Sequence, residues 1–201
     1  MPATTTGEPV EVEIATRAEE QAVVDTLVLA FSSDPVMRWF YPAPDDYLRY
    51  FPEFVERYGG KAFDHGTAYY VHDFAAAALW LPPAVHPDED SLVALFQNSL
   101  STERQEQTWA VMDQLDEYHP TEPFYHLPTI GTDPTQQRKG HGSALMNHAL
   151  ELCDRDGVRA YLESSSPLNI SLYARHGFEI LGLIQEDTMP PLIPMVREPQ
   201  G

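Results

Sequence analysis

Residues 127–142 read Leu-Pro-Thr-Ile-Gly-Thr-Asp-Pro-Thr-Gln-Gln-Arg-Lys-Gly-His-Gly, and Ser-Ala-Leu-Met-Asn-His-Ala-Leu-Glu-Leu-Cys follows at 143–153. The first half reads as a strand that stops in a turn at Asp133-Pro134. Beyond it, apolar residues at 145, 146, 149, 150 and 153 form the stripe of an amphipathic helix. Between the two lies Gln137-Arg138-Lys139-Gly140-His141-Gly142, a glycine-rich turn opening a helix N-terminus. Unpaired backbone N–H groups from Arg138 to Ser143, the positive end of the helix dipole and two adjacent cations make an anion site there, suited to a pyrophosphate. Gly140 and Gly142 leave backbone open where a Cβ would block a phosphate. A bare Gly-x-Gly arises by chance roughly once in 200 positions, so the order of strand, Asp-Pro turn, Gln-x-x-Gly-x-Gly and helix carries the reading. Neither the P-loop pattern nor the Gly-x-Gly-x-x-Gly dinucleotide fingerprint is present.

Outward from this unit the chain alternates between short strands and helices. Val10-Glu11-Val12-Glu13-Ile14 has period two and reads as the first strand, after a loose tail at 1–8. Residues 17–31 are helical, Ser33-Asp34-Pro35 breaks that helix, and Asp34 is placed to cap a second, short one. A third helix at 47–58 is expected to stop at Gly59-Gly60. Strands at 66–71 and 75–81 form a hairpin around His72-Asp73-Phe74, and two helices fill 88–117, meeting near 101–103. After the helix that Gly157 ends come a strand at 158–163, a short helix at 167–176 and strands at 178–185 and 188–197. Pro190, Pro191 and Pro194 point to an edge or bulged position for the last strand. No second-domain boundary is visible, so 9–198 reads as a single domain.

The 201-residue chain is 43% hydrophobic and carries a net charge of −19, which describes a folded globular chain rather than a disordered one. That charge disfavours nucleic acid and anionic membrane, and Arg138-Lys139 stand out against it. The longest apolar run, from Phe74 to Val85, is broken by prolines and too short to cross a bilayer. The first residues lack a basic start and apolar core, so no signal peptide is expected. A single cysteine, Cys153, excludes an internal disulfide framework, reads as core and fits a reducing, cytoplasmic location. The eight histidines show no metal-ligand spacing, so no metal is expected.

The 127–153 unit resembles the acyl-CoA-binding motif of the GNAT N-acetyltransferases, in which Gln/Arg-x-x-Gly-x-Gly/Ala holds the pyrophosphate of coenzyme A. Residues 161–178 resemble that family's next motif through Asn169-x-x-x-Tyr173-x-x-x-Gly177-Phe178. Ala15-Thr16-Arg17 and residues 30–35 also resemble a subgroup that includes puromycin N-acetyltransferase. The resemblance implies an α/β (α+β) fold: a mixed, twisted sheet of six to seven strands with helices on both faces, and an extra helix near the start. It implies acetyl-CoA as donor, held by Gln137, Arg138, Lys139, Gly140, His141, Gly142 and Ser143. A strand bulge in the Ile130-Gly131-Thr132 region would free a backbone N–H for the thioester oxygen. Tyr173 would protonate the departing thiolate, and Asn169 would bond the pantetheine arm or cap its helix. Two departures stand out: Pro128 lies inside the central strand, and Arg138 stands where many relatives have glycine.

An alkylammonium with pKa near ~10 must lose a proton before attack. Glu163, at the end of the flanking strand, is the candidate base; it also reads as an ion-pair partner for Arg159 or Arg175. Glu122 and His126 are further candidates. Phe31, Trp39, Tyr41, Trp80 and Phe124 are aromatic candidates for an acceptor wall or for core, and Asp34 for reading a cation. The expected activity is acetylation of a small-molecule primary amine by direct attack in a ternary complex. Protein or peptide acetylation, an acyl-CoA sensor without turnover, and a nucleotide binder are the rivals. Edge strands at the C-terminal end leave a homodimer open.

Overall fold

The alternation at 10–14 becomes β1, Val12–Ile14, in the computed structural model, which describes residues 10–201; the expected tail at 1–8 lies outside the described residues. A 3-10 turn at Arg17–Glu19 leads into α1, Glu20–Ala30. α2, Pro35–Phe40, starts on a side-chain cap: Asp34 Oδ1 accepts from the Val36 and Met37 N–H groups, both at 3.0 Å. α3, Pro44–Gly59, runs on through Gly60, which stays right-handed, into α4, Ala62–His65. α3 stops at Gly59-Gly60 as expected, with Gly60 as its C-cap, and the short α4 ends in turn at Gly66, with φ 65°. Gly59 is small for a further reason: a Cβ there would lie 2.8 Å from Leu79 Cδ1.

β2, Ala68–Val71, and β3, Ala76–Leu81, pair antiparallel across the expected turn, in which His72, Asp73 and Phe74 all have positive φ. α5, Glu89–Ser99, and α6, Thr102–Asp116, meet at Ser101, whose hydroxyl caps the second. β4, Phe124–Thr132, leads through the glycine-rich turn into α7, His141–Asp156, which Gly157 ends at φ 65°. β5, Arg159–Ser164, is followed by a 3-10 turn at Pro167–Asn169 and by α8, Ile170–Arg175. β6, Glu179–Ile180, and β7, Ile193–Arg197, complete the chain.

The strands form one mixed sheet in the order β1-β2-β3-β4-β5-β7-β6, with β4–β5 the parallel pair. Alternate strand residues face two cores, as period two requires. Ala77, Leu79 and Leu81 pack under α1 to α6, whereas Ala76, Ala78 and Trp80 pack under α7 and α8, where Cys153 is buried. Helices thus cover both faces, as expected. Among the described residues no helix is long and apolar enough to cross a membrane.

Two expectations at the C-terminal end are corrected. The strand drawn over 178–185 is only two residues plus an isolated bridge from Ile184 to Leu192. β7 is not an edge strand, because it lies between β5 and β6. Pro194 is tolerated there for a geometric reason. Its carbonyl accepts from the Leu181 N–H at 2.9 Å, and a strand residue's N and O point to the same side. Its missing donor therefore faces the frayed end of β6, and the ladder to β5 is untouched.

Gly131 is also corrected. It pairs regularly with Ala77, and a Cβ on it would lie 2.5 Å from Ala30 Cβ, so it is small to let α1 approach the sheet. Gly131→Ala is expected to destabilise the chain by about 1–3 kcal/mol, the usual overpacking range. The midpoint of urea denaturation should fall at unchanged m-value, and Ala30→Gly should recover part of the loss.

Candidate active site

β4 and β5 pair only over Phe124–His126 with Arg159–Tyr161, and beyond that the two parallel strands separate. The cause lies in β4. Opposite the step from Leu79 to Leu81, β4 spends three residues from Thr129 back to His126, so a bulge sits at Leu127-Pro128. It was expected at 130–132, which instead pair regularly with 76–78. Pro128 has no N–H to give to a ladder, and the bulge puts it where none is needed. The separation leaves backbone groups of β4 without a partner strand on the β5 side, a slot for an extended ligand with amide groups.

A cavity of about 110 Å³ opens from this slot. Pro128, Thr129 and Ile130 line one side of the slot end; Leu162, Glu163, Ser165, Asn169 and Tyr173 line the other. Phe31, just past α1, and apolar side chains from α2, α3, α5 and α6 close the far end. Thr129 is 3% exposed, and its hydroxyl has no hydrogen-bond partner among the described residues. Asn169 makes no side-chain cap to α8, so of its two expected roles the cap is absent and the side chain is left lining the cavity. Tyr173 is 6% exposed; burial, reinforced by the Asp34 carboxylate, pushes its phenol up, so it stays protonated at neutral pH. Asp34 itself is engaged, capping α2 through Oδ1 and accepting from the Ser165 hydroxyl through Oδ2 at 2.6 Å. It does not face the cavity as a free cation reader.

Glu163 is not a solvated strand end. Its side chain is 6% exposed and accepts from three groups: the Tyr58 hydroxyl at 3.1 Å and His126 Nε2 at 2.9 Å on Oε2, and His119 Nε2 at 3.2 Å on Oε1. Burial alone would raise the carboxyl, but the charge of His126 and the hydrogen bonds of His119 and His126 outweigh it and hold Glu163 well below the usual carboxylate range. The bond to Glu163 raises His119 above the ordinary histidine value. The His119 side chain is 38% exposed, and its Nδ1 lies 3.6 Å from the solvent-facing Asp116. The row from Glu163 through His119 to Asp116 thus joins the cavity wall to solvent. Arg159 pairs with Glu122 and Glu198 rather than with Glu163, which takes Glu122 out of the site.

The turn before α7 has the expected form. Arg138 and Gly140 take φ 64° and 88°, and the helix starts at His141 with the N–H groups of His141, Gly142 and Ser143 free of intrahelical partners. Gln137, Arg138 and Lys139 are exposed, and Lys139 reaches Gln136 Oε1 at 2.6 Å. The His141 ring is buried against His72, with ring centroids 5.2 Å apart, so any contact it makes to an anion is through its backbone. A Cβ on Gly142 would lie 3.5 Å from Leu172, which places the anion turn beside the helix that carries Tyr173.

Of the aromatic candidates, Phe31 lines the cavity, whereas Trp80 and Tyr41 are core and Trp39 and Phe124 stand outside the lining. Tyr58, His119, Ser165 and Thr129 were not singled out from sequence. Only His119 carried a local signal, as a second histidine seven residues before His126.

The model of the Acetyltransferase (GNAT) family matches residues 53–178. An uncharacterised N-acetyltransferase of Schizosaccharomyces pombe is 25% identical, over 87% of this chain and 78% of its own length. A solved structure from Corynebacterium glutamicum, named as a histone acetyltransferase HPA2 and related acetyltransferase, superposes with TM-score 0.69 at 28% identity, covering 96% of this chain and 98% of that one. A polyamine N-acetyltransferase of Drosophila melanogaster shares the fold with TM-score 0.66 at 13% identity, over 94% and 99% of the two chains.

Proposed function

Because this chain belongs to the acetyltransferase (GNAT) family, we propose that it moves an acetyl group from acetyl-CoA to the primary amine of a small molecule, both held in one ternary complex. One observation carries the reading: Tyr173 and Glu163 line a single cavity that opens from the β4–β5 separation beside the anion turn. The residues present fit the coenzyme. The free N–H groups of 141–143 with Arg138 and Lys139 suit its pyrophosphate, and the orphaned Thr129 hydroxyl and Asn169 line the slot for its amide-bearing arm.

Bound acetyl-CoA supplies the acetyl group as a thioester, whose C–S bond breaks as a C–N bond to the amine forms. A backbone N–H beside the bulge polarises the acetyl oxygen, and Ile130 is the available donor: Pro128 has none, and the ladder alternation turns Thr129 toward Leu79 and Ile130 away from β3. Glu163 draws the acceptor's ammonium to the cavity wall. Held so far below neutral, it is too weak a base to act alone. Its partner His119, once neutral, takes the proton through Glu163 and gives it to solvent beside Asp116. Tyr173 protonates the leaving sulfur, and the second nitrogen proton, released as the amide forms, restores the phenol.

A place in the puromycin N-acetyltransferase subgroup rests on residues 15–17 and 30–35, of which Asp34 is spent on a cap and Phe31 faces the cavity. A cytosolic setting fits a free, buried Cys153. The name of the Corynebacterium structure favours a second reading, a protein amine as acceptor. The narrow, apolar cavity favours the small molecule, and mass spectra of acetylated products separate the two.

Calorimetric titration is the first test. Acetyl-CoA is expected to bind in the micromolar range and ATP not at all. Replacing Arg138 and Lys139 together by Ala should weaken acetyl-CoA about tenfold, ~1.4 kcal/mol, and less so at high salt. Failure of acetyl-CoA to bind would remove the catalytic reading and leave the fold.

A further inference from the structure

The far end of the cavity holds the information about the acceptor. Phe31, just past the end of α1, and Met37, Phe40, Phe96, Met112 and Leu115 from three further helices wall it. None of these presents a hydrogen-bonding group. Among the described lining residues Glu163 is the only carboxylate, and it already accepts from Tyr58, His126 and His119. The next carboxylate behind the wall, Asp34, has its oxygens committed to the start of α2 and to Ser165.

We propose that the acceptor is a primary monoamine whose body is apolar, an aryl-alkyl or branched-alkyl amine with one positive charge. This rests on the acetyltransferase reading of the same site and adds the substrate class to it. The charge arithmetic is decisive. One ammonium meets one carboxylate at the cavity wall, and a second ammonium farther along the molecule would be stripped of water among phenylalanine and methionine side chains with no counter-charge. An apolar body gains from the same walls. Size agrees, since a cavity of about 110 Å³ approaches the ~150 Å³ that takes a benzene ring, and Met37 and Met112 are the kind of side chain that moves to admit one. The protein's large negative charge would draw polyamines to its surface, but this cavity has no second anion to seat them.

The test is thiol release at saturating acetyl-CoA with 2-phenylethylamine, 3-methylbutylamine, 1,4-diaminobutane and spermidine, and with hexanoyl-CoA in place of acetyl-CoA. The monoamines are expected to exceed the diamine in kcat/KM by about 30-fold, ~2 kcal/mol. Equal or better turnover of 1,4-diaminobutane or spermidine overturns the proposal and leaves the acetyltransferase reading standing. Faster transfer from hexanoyl-CoA than from acetyl-CoA to 2-phenylethylamine also overturns it, by giving the apolar end to the acyl chain. Thiol release with none of the amines, despite binding of acetyl-CoA, counts against the acetyltransferase reading itself, and this inference falls with it.

Discussion

Tyr173→Phe is expected to lower kcat by about 100- to 1,000-fold, within the range for loss of a positioned proton donor, while the KM for acetyl-CoA changes less than about threefold. The loss corresponds to ~2.7–4.1 kcal/mol of barrier. Structure predicts so clean a separation because the Tyr173 hydroxyl makes no hydrogen bond to another described residue, and its ring packs with Phe178 at a centroid distance of 6.1 Å, which phenylalanine keeps. No buried partner is left unpaired by the change, so the thermal midpoint should move by no more than about 2 °C. The direction of the Tyr173 shift also matters. Burial first, then the nearby Asp34, keeps the phenol neutral, so at working pH it has a proton to give rather than one to take. A general base at this position would require the opposite perturbation. Single-turnover thiol release, with binding of acetyl-CoA measured separately, checks both halves. A kcat within threefold of the parent would strip Tyr173 of its role.

The anion turn was legible in the sequence because its signal is local: glycine spacing, adjacent cations and a helical stripe all lie within residues 137–153. The same holds for the Asp34 cap and for Gly157. What failed were local rules overridden by packing. Gly131 looks like a bulge and is a contact with Ala30, whereas Gly59 both ends its helix and makes room for Leu79. Pro128 held the true sign of the bulge, and the absence of its donor outweighs the permissiveness of a nearby glycine. Glu163 could be named from its strand, but its surroundings could not. Tyr58 is 105 residues away and His119 is 44, and only the folded sheet brings them to one carboxylate. The expected lone base is thereby recast as the centre of a hydrogen-bonded group.

Glu163→Gln tests that group, and it should cost both activity and stability. An amide cannot carry the charge that receives the ammonium and holds the proton on His119, so kcat/KM is expected to fall by about 100-fold or more. Breaking a buried charge network from one side typically costs at least about 3 kcal/mol, which for a chain of this size lowers the thermal midpoint by roughly 6–12 °C. The pH dependence separates this from a generic loss of packing. Glu163 is held below its unfolded value, so its contribution is present above the ordinary carboxylate range and is lost as pH falls through the folded value. His119 is held above its unfolded value, so its contribution is complete below about pH 6.5 and is lost as pH rises through the folded one. The parent chain should therefore lose some stability over the same rise in pH, beginning above 6.5, that deprotonates His119 and switches kcat/KM on. In Glu163→Gln the shift on His119 loses its source. The stability slope above pH 6.5 should flatten, and the midpoint of the residual pH–rate profile should drop toward the ordinary histidine value. A variant that loses activity but keeps the parent midpoint would mean that the titrating base is a group other than the Glu163–His119 pair.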